Sequence, residues 1–296
     1  MTIANCLVII LQFAICNDQF SICNLSLAFT PHRCAWESPV PTILQLTDLH
    51  LFADKEALLK GVHPWRSLAR VLATARGSGI AFDHVVLTGD LTHDGLERTY
   101  EHLREALGDW ADAAWLIPGN HDDRSLVGRI SNPPAGTGWK PALQDRVTFS
   151  FDADGWRVMG LDTLLPGKLE GEVGAGQLAW LASELAQHAT SPTLIFMHHP
   201  PVEVGSAWLD RIGLTDRAAF APVIAAAPQV RLICCGHIHQ DFQSRLAAAD
   251  VLAAPSTSVQ FVPRTETLVV DDVPPGLRIV TLGENSFETR LVRAAK

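Results

Sequence analysis

The chain has 296 residues, 47% of them hydrophobic, and a formal net charge of −9. That length and apolar content suffice for a large buried core. The acidic balance excludes an extended polyanion such as duplex DNA as partner, because nucleic-acid binders carry a concentrated basic surface; a small anion is admissible if cations neutralise it.

Residues 1–39 stand apart from the rest. They contain an apolar stretch at 7–15 and no Lys or Arg before Arg33. The stretch is too short to span a bilayer, and it lacks the positive n-region and small-residue cleavage site of a signal peptide. Residues 1–39 are therefore expected to be an extension outside the fold, a leader or the product of a start codon set too far upstream, with residues 40–296 as the domain. Cys6, Cys16, Cys23 and Cys34 lie in that extension, and Cys234 and Cys235 are neighbours, so no CxxC or zinc-ribbon spacing occurs. Such a pattern does not resemble a secreted disulfide framework, and a reducing, cytoplasmic location is expected.

From Thr42 onward, short apolar runs alternate with stretches of helical period, the pattern of an α/β domain. Strands are predicted at residues 42–47, 83–88, 113–117, 157–162, 193–197 and 230–235. Between them a helix opens at Pro64 with Leu68, Val71 and Leu72 on one face. Others are predicted at 96–107 and at 177–187, the last with Leu178, Leu181 and Leu185. After Gln240 the chain is poor in helical period and rich in Val, Thr and Pro, which predicts further strands, several antiparallel.

Five of the strands run directly into polar clusters, and in open α/β sheets sites form at the carboxyl ends of strands. The clusters are Asp48-Leu49-His50, Gly89-Asp90, Gly119-Asn120-His121-Asp122, His198-His199-Pro200 and Gly236-His237-Ile238-His239. Singly they are weak: a D-x-H triplet or a Gly-Asp pair is more often a solvated turn, and His198-His199 before two prolines can simply terminate a strand. Gly-Asn-His-Asp is stronger, because Asn is an unusual metal ligand and a buried one must otherwise satisfy four hydrogen-bonding positions, and Gly-His-x-His is moderately specific, since strand alternation puts both imidazoles on one side. The ordered set of five is what points to metal chemistry.

That set resembles the calcineurin-like metallophosphoesterase superfamily, whose pattern D-x-H, G-D, G-N-H-[DE], H and G-H-x-H is matched in order over about residues 42–292. Three further stretches are similar to bacterial class III 3′,5′-cyclic AMP phosphodiesterases: 204–210 (VGSAWLD), 255–261 (PSTSVQF) and 271–276 (DDVPPG). Leu277 stands where those relatives commonly have an aromatic residue, a departure that bears on substrate or edge contacts. The resemblance implies a four-layer α/β sandwich, two mixed β-sheets packed face to face with helices outside. It implies one metal on Asp48, His50 and His239, a second on Asn120, His198 and His237, and Asp90 between both. Mixed imidazole and oxygen donors without thiolate suit Mn, Fe, Co or Zn, and the family precedent favours Fe or Mn.

The implied reaction is hydrolysis of 3′,5′-cyclic AMP to 5′-AMP by a hydroxide held between two ions, which lower the pKa of a water and clamp the phosphate. Asp90 and His121 are the catalytic candidates, His121 as general acid or charge stabiliser on the leaving oxygen; Asn120, His121 and His237 would contact substrate. Asp122 is expected to orient the His121 imidazole or to cap the following helix. His63, His84, His93, His102 and His188 receive no role. Cys234 and Cys235 are read as buried small hydrophobes, one of them oxidation-sensitive if a redox-active iron is near. A glycerophosphodiesterase or phosphomonoesterase would use the same metals, and a non-catalytic scaffold would be expected to lack some of these residues. Arg124/Arg129 and Arg211/Arg217 are too sparse for the basic track of a nuclease. The partner expected is a small cyclic nucleotide, with no nucleic acid and no membrane; oligomeric state is open.

Overall fold

A computed structural model of the chain describes residues 40–130 and 143–295; the expectation for residues 1–39 lies outside them. The described residues fall within one compact unit, Pro39–Lys296. Its first half runs β1 (Thr42–Leu46), α1 (Pro64–Gly77), β2 (His84–Thr88), α2 (Glu97–Leu107), a 3-10 turn (Gly108–Ala113), β3 (Ala114–Ile117) and α3 (Arg124–Ile130). Then come β4 (Phe149–Ala153), β5 (Trp156–Leu161), α4 (Ala175–Gln187), β6 (Thr193–Met197), α5 (Ala207–Asp210), α6 (Arg217–Ala225) and β7 (Val230–Cys235). The carboxyl end adds β8 (Phe242–Leu246), β9 (Ala249–Ala253), β10 (Gln260–Phe261), β11 (Val270–Asp271), β12 (Gly276–Leu282) and β13 (Phe287–Arg293).

Two mixed sheets result, ordered β13-β12-β1-β2-β3 and β4-β5-β6-β7-β9-β8. Strands β1, β2 and β3 are parallel, as are β5, β6, β7 and β9, while β12, β13, β4 and β8 pair antiparallel at the flanks. Both faces of the central strands are buried, and strand alternation decides which core each residue joins. In β1, Ile43 faces the second sheet while Leu44 and Leu46 face the helices; in β6, Leu194 and Phe196 face the first sheet while Ile195 and Met197 turn outward. The three cores so defined, helix on sheet, sheet on sheet and sheet on helix, are the four-layer sandwich expected. Each fully buried Leu, Ile or Phe contributes about 1.5–3 kcal/mol to it.

The helices bury the stripes their periods demand: Leu68, Val71, Leu72 and Ala75 in α1, Tyr100, Leu103 and Leu107 in α2, Leu181 and Leu185 in α4. Helix α2 begins one residue later than predicted, because Asp94 Oδ1 accepts the Leu96 amide at 3.1 Å and holds Leu96 extended as the cap. Helix α4 begins two residues before its predicted start. Strand β4 was absent from the expectations; it pairs with β5 through Asp154 and Gly155, whose φ of 47° and 86° fit the tight hairpin that an Asp-Gly pair favours. Leu277 does not bear on substrate: it is 1% exposed on β12 and packs in the core between the first sheet and its helices. Cys234 and Cys235 are both buried in β7, as expected of small hydrophobes.

Candidate metal centre and substrate pocket

Parallel pairing brings the carboxyl ends of β1, β2 and β3 to one edge, and β6 and β7 deliver theirs beside them. The chain past β1 stays paired to the chain past β2, with the Asp48 amide 3.0 Å from Gly89 O and the His50 amide 2.9 Å from Asp90 O. The two sheets are tied at the same level: Gln45 Nε2 donates to Cys235 O at 3.2 Å, and the His237 amide donates to both Asp48 carboxylate oxygens at 3.0 Å. Asp48, His50, Asp90, His237 and His239 all take positive φ, between 49° and 70°. For a side chain with Cβ this is a costly conformation, and its concentration here marks a functional edge. Gly89, at φ 88°, allows the closest approach: a Cβ there would lie 2.6 Å from both Gly119 N and His198 Nδ1.

Asp90 is the hinge of the arrangement. Its Oδ2 lies 3.5 Å from His50 Nε2 and its Oδ1 lies 3.5 Å from His198 Nε2, so its two oxygens face two separate donor groups. On the first side, His50 Nε2 is 3.0 Å from His239 Nε2, which is 3.4 Å from Asp48 Oδ1. On the second, His237 Nδ1 is 3.1 Å from Asn120 Oδ1, and His198 packs edge-on against His237. Two donors each about 2.1 Å from one ion stand about 3.0–3.4 Å apart at octahedral or tetrahedral angles. The observed spacings match that. His198 Nε2, which faces Asp90 Oδ1, is buried without a hydrogen-bond partner, so this all-nitrogen-and-oxygen donor set fits cations. The sequence-predicted residues Asp48, His50, Asp90, Asn120, His198, His237 and His239 are thus brought to one place.

The electrostatics agree with a site built for positive charge. Burial opposes ionisation of Asp90, yet the His198 and His50 imidazoles hold its carboxyl well below the usual range. Burial likewise opposes charge on His198, but Asp90 and then Asp48 lift it to about 9. His50 and His237 are driven well below their ordinary value, first by burial and then by neighbouring imidazoles, with carboxylates pulling the other way.

Above these groups opens a cavity of about 330 Å³. Its floor is His50, Asp90, Asn120, His121, His237 and His239, and its wall is apolar, with Leu169, Trp208, Leu209, Ile212, Phe261 and Leu268. The Trp208 ring packs edge-on against Phe261, which stacks on His239 at 4.2 Å. His121 lies at the floor's edge, its amide donating to Asp90 Oδ1 at 2.9 Å and its ring edge-on to His50. Two of the three stretches singled out in the sequence, 204–210 and 255–261, reach this cavity. The third, 271–276, lines a separate cavity of about 190 Å³.

A family model for calcineurin-like phosphoesterases matches residues 41–241. The chain belongs to that family. This calcineurin-like phosphoesterase is 36% identical over 255 residues to 3′,5′-cyclic adenosine monophosphate phosphodiesterase CpdA of Escherichia coli (strain K12), covering 86% of this chain and 90% of that one. It is 33% identical to a 3′,5′-cyclic-nucleotide phosphodiesterase of Nostoc sp., covering 85% and 92%. Its fold is similar to that of a dimetal phosphatase from Danio rerio, with a TM-score of 0.60 at 18% identity, covering 87% of this chain and all of that one.

Several residues of this phosphoesterase's site escaped the sequence reading. Asp122 neither orients His121 nor caps α3. Its oxygens accept the amides of Leu91, Thr92 and Gly119 at 2.9–3.1 Å and the Tyr100 hydroxyl at 2.9 Å, welding the loop after β2 to the loop after β3. The cap is Asp123, whose Oδ1 accepts the Ser125 and Leu126 amides. His199 is more than a strand terminator: its ring lies 4.4 Å from that of His237, with Nδ1 2.8 Å from Thr163 Oγ1 and Nε2 3.0 Å from Leu169 O. Ser256 Oγ donates to Asp48 O at 2.7 Å. Lys60 carries the one fixed positive charge among the described residues lining the cavity; its φ of 48° beside Gly61 at 85° forms a tight two-residue turn that hydrophobic patterning does not reveal. Arg124 and Arg129 pair with Asp162 and Glu97, leaving no basic track there. Among the described residues, no helix is long and apolar enough to cross a membrane.

Proposed function

We propose that this phosphoesterase hydrolyses 3′,5′-cyclic AMP to 5′-AMP at a two-metal centre. The observation that carries the reading is Asp90, whose two oxygens face two donor sets spaced for ions beneath a cavity with an apolar wall; the cyclic-nucleotide phosphodiesterases among the relatives support the substrate. In this reading Asp48, His50 and His239 hold one ion, Asn120, His198 and His237 the other, and Asp90 both, with Fe or Mn as the metals. Bound there, the ions supply charge neutralisation of the phosphate and a water acidic enough to act as nucleophile near neutral pH.

The remaining work falls to the chain. The floor residues Asn120, His121 and His237 contact the phosphate, and Trp208, Leu169 and Leu268 offer the apolar surface on which a base and ribose can be desolvated. The attacking water gives up one proton to solvent as its oxygen bonds to phosphorus and the P–O3′ bond breaks, and the 3′ oxygen takes a proton from protonated His121, which regains one from solvent, giving 5′-AMP. The proposed working unit is residues 40–296, and the proposed location is the cytoplasm. A turnover panel with metal-reconstituted full-length protein tests this: cyclic AMP should give a higher kcat/KM than glycerophosphocholine, 5′-AMP or a phosphopeptide. Protein that cleaves one of those and leaves cyclic AMP intact would refute the substrate and retain the metal centre.

A further inference from the structure

Three histidines of the centre, His50, His198 and His239, face a carboxylate with Nε2, and each needs a partner for the ring nitrogen on the other side. A ring nitrogen that holds an ion must offer its lone pair, so in a neutral imidazole the other nitrogen carries the proton, and whatever accepts that proton fixes the tautomer and the ring plane. For His198 the acceptor is Thr88 O at 2.7 Å, and for His239 it is Val259 O at 2.7 Å. Both are backbone carbonyls, which can only accept. His50 differs: its Nδ1 stands 3.2 Å from Nδ1 of His93.

We infer that His93 is a positioning residue of the centre, accepting the Nδ1–H of His50 in place of a carbonyl and setting the ring plane of His121 by stacking on it. The inference rests on the two-metal reading. With the His50 lone pair on Nε2, its Nδ1 is a donor, so His93 Nδ1 must be the acceptor and the His93 proton sits on Nε2. The His93 ring is held for this task. Its amide donates to Leu51 O at 2.7 Å, Phe52 packs on it at 4.9 Å, and the His121 ring stacks on it at 4.6 Å with an interplanar angle of 21°. His121 in turn meets His50 edge-on at 4.9 Å. One half-exposed side chain that touches neither Asp48, His198 nor Asn120 in any of these contacts therefore links an ion-facing imidazole to the proposed proton donor.

The same three rings bring one nitrogen each to within 4.8 Å of one another, a grouping that could itself hold an ion. His50 decides against it, because serving two ions through both nitrogens would require its imidazole to lose its last proton.

Two substitutions separate the two tasks. His93→Gln keeps an acceptor and loses the stacked ring; His93→Phe keeps the ring and loses the acceptor. Full-length wild type and both variants would be stripped with chelator and titrated with Mn²⁺ by calorimetry, then assayed with cyclic AMP. His93→Phe should weaken one of the two Mn²⁺ sites by about 10- to 100-fold and leave the other unchanged. His93→Gln should bind both ions close to wild type, with kcat lowered about tenfold at unchanged KM. Wild type that binds two ions, with His93→Phe binding both as tightly, would overturn this inference alone. So would wild type that binds a third ion lost in both variants. Wild type that takes up no Mn²⁺ would overturn the two-metal reading and this inference with it.

Discussion

Replacing Asp122 by Asn changes one oxygen to an amide that can only donate, in a place where every neighbour donates. Oδ1 accepts the Thr92 amide at 3.1 Å and the Tyr100 hydroxyl at 2.9 Å, and Oδ2 accepts the Leu91 amide at 3.1 Å and the Gly119 amide at 2.9 Å. With the new amide at Oδ2, two backbone donors are orphaned. Turned the other way it faces Tyr100, whose hydroxyl can rotate to accept, and orphans the Thr92 amide. Each buried unsatisfied donor costs about 1–3 kcal/mol, and bonds to a charged acceptor are the stronger kind. Against this stands relief of a buried carboxylate whose pKa burial, and then Asp90, push up to about 6 despite the amides it accepts. The net expectation is a loss of about 2–4 kcal/mol, a large part of a typical domain's stability. Urea unfolding of both proteins in excess chelator measures it, since chelator removes any contribution from bound metal. A variant within about 0.5 kcal/mol of wild type at the same m-value, the range of ordinary surface substitutions, would refute the view that Asp122 welds the two loops.

Other outcomes follow from the same geometry. Gly119→Ala would drive a Cβ into the Asp90 amide and carboxylate, so the purified variant should retain little metal by elemental analysis and lose about 100-fold or more in turnover. Lys60→Ala removes the exposed cation that lines the cavity, and steady-state kinetics should show KM raised about two- to fivefold with kcat unchanged. Burial pushes the Cys234 thiol up to about 12 and Cys235 well above its ordinary value, so peptide mapping should find neither alkylated by iodoacetamide at pH 8 until denaturant is added. Because those folded pKa values lie above the unfolded value of about 8.5, their contribution to stability is complete below that pH and is lost as pH rises toward the folded values.

The central strands were legible because β1, β2, β6 and β7 are short apolar runs that end abruptly in polar residues, and burial on both faces leaves such runs little other structure to adopt. Strand β4 was not legible, although Phe149, Phe151 and Ala153 alternate toward the inter-sheet core and Asp154-Gly155 marks the hairpin, because five residues interrupted by Ser150 and Asp152 are too short and too polar to stand out as a buried run. Sheet order was not legible: that β12 pairs with β1, and that β9 runs parallel to β7, depends on contacts far apart in the chain. In the site, residues that recur as motif letters were readable, whereas their supports were not. Asp122 looked like a helix cap because it precedes α3 by two residues, and only the fold shows its oxygens turned back to Leu91 and Gly119. His93 looked like any surface histidine, since the ring it supports is forty-three positions away. The resemblance tied Leu277 to substrate or edge contacts, because an aromatic residue is common at that place, and it is a core residue by its position on β12.

The most direct test of a two-metal cyclic-nucleotide phosphodiesterase is to add Mn²⁺ in small steps to metal-stripped, full-length protein and follow 5′-AMP release from cyclic AMP by chromatography. Activity should be absent at the start, rise with added ion and level off near two equivalents per chain, with 5′-AMP as the sole nucleotide product. Full activity before any ion is added, a plateau at one equivalent, or 3′-AMP as the product would contradict it.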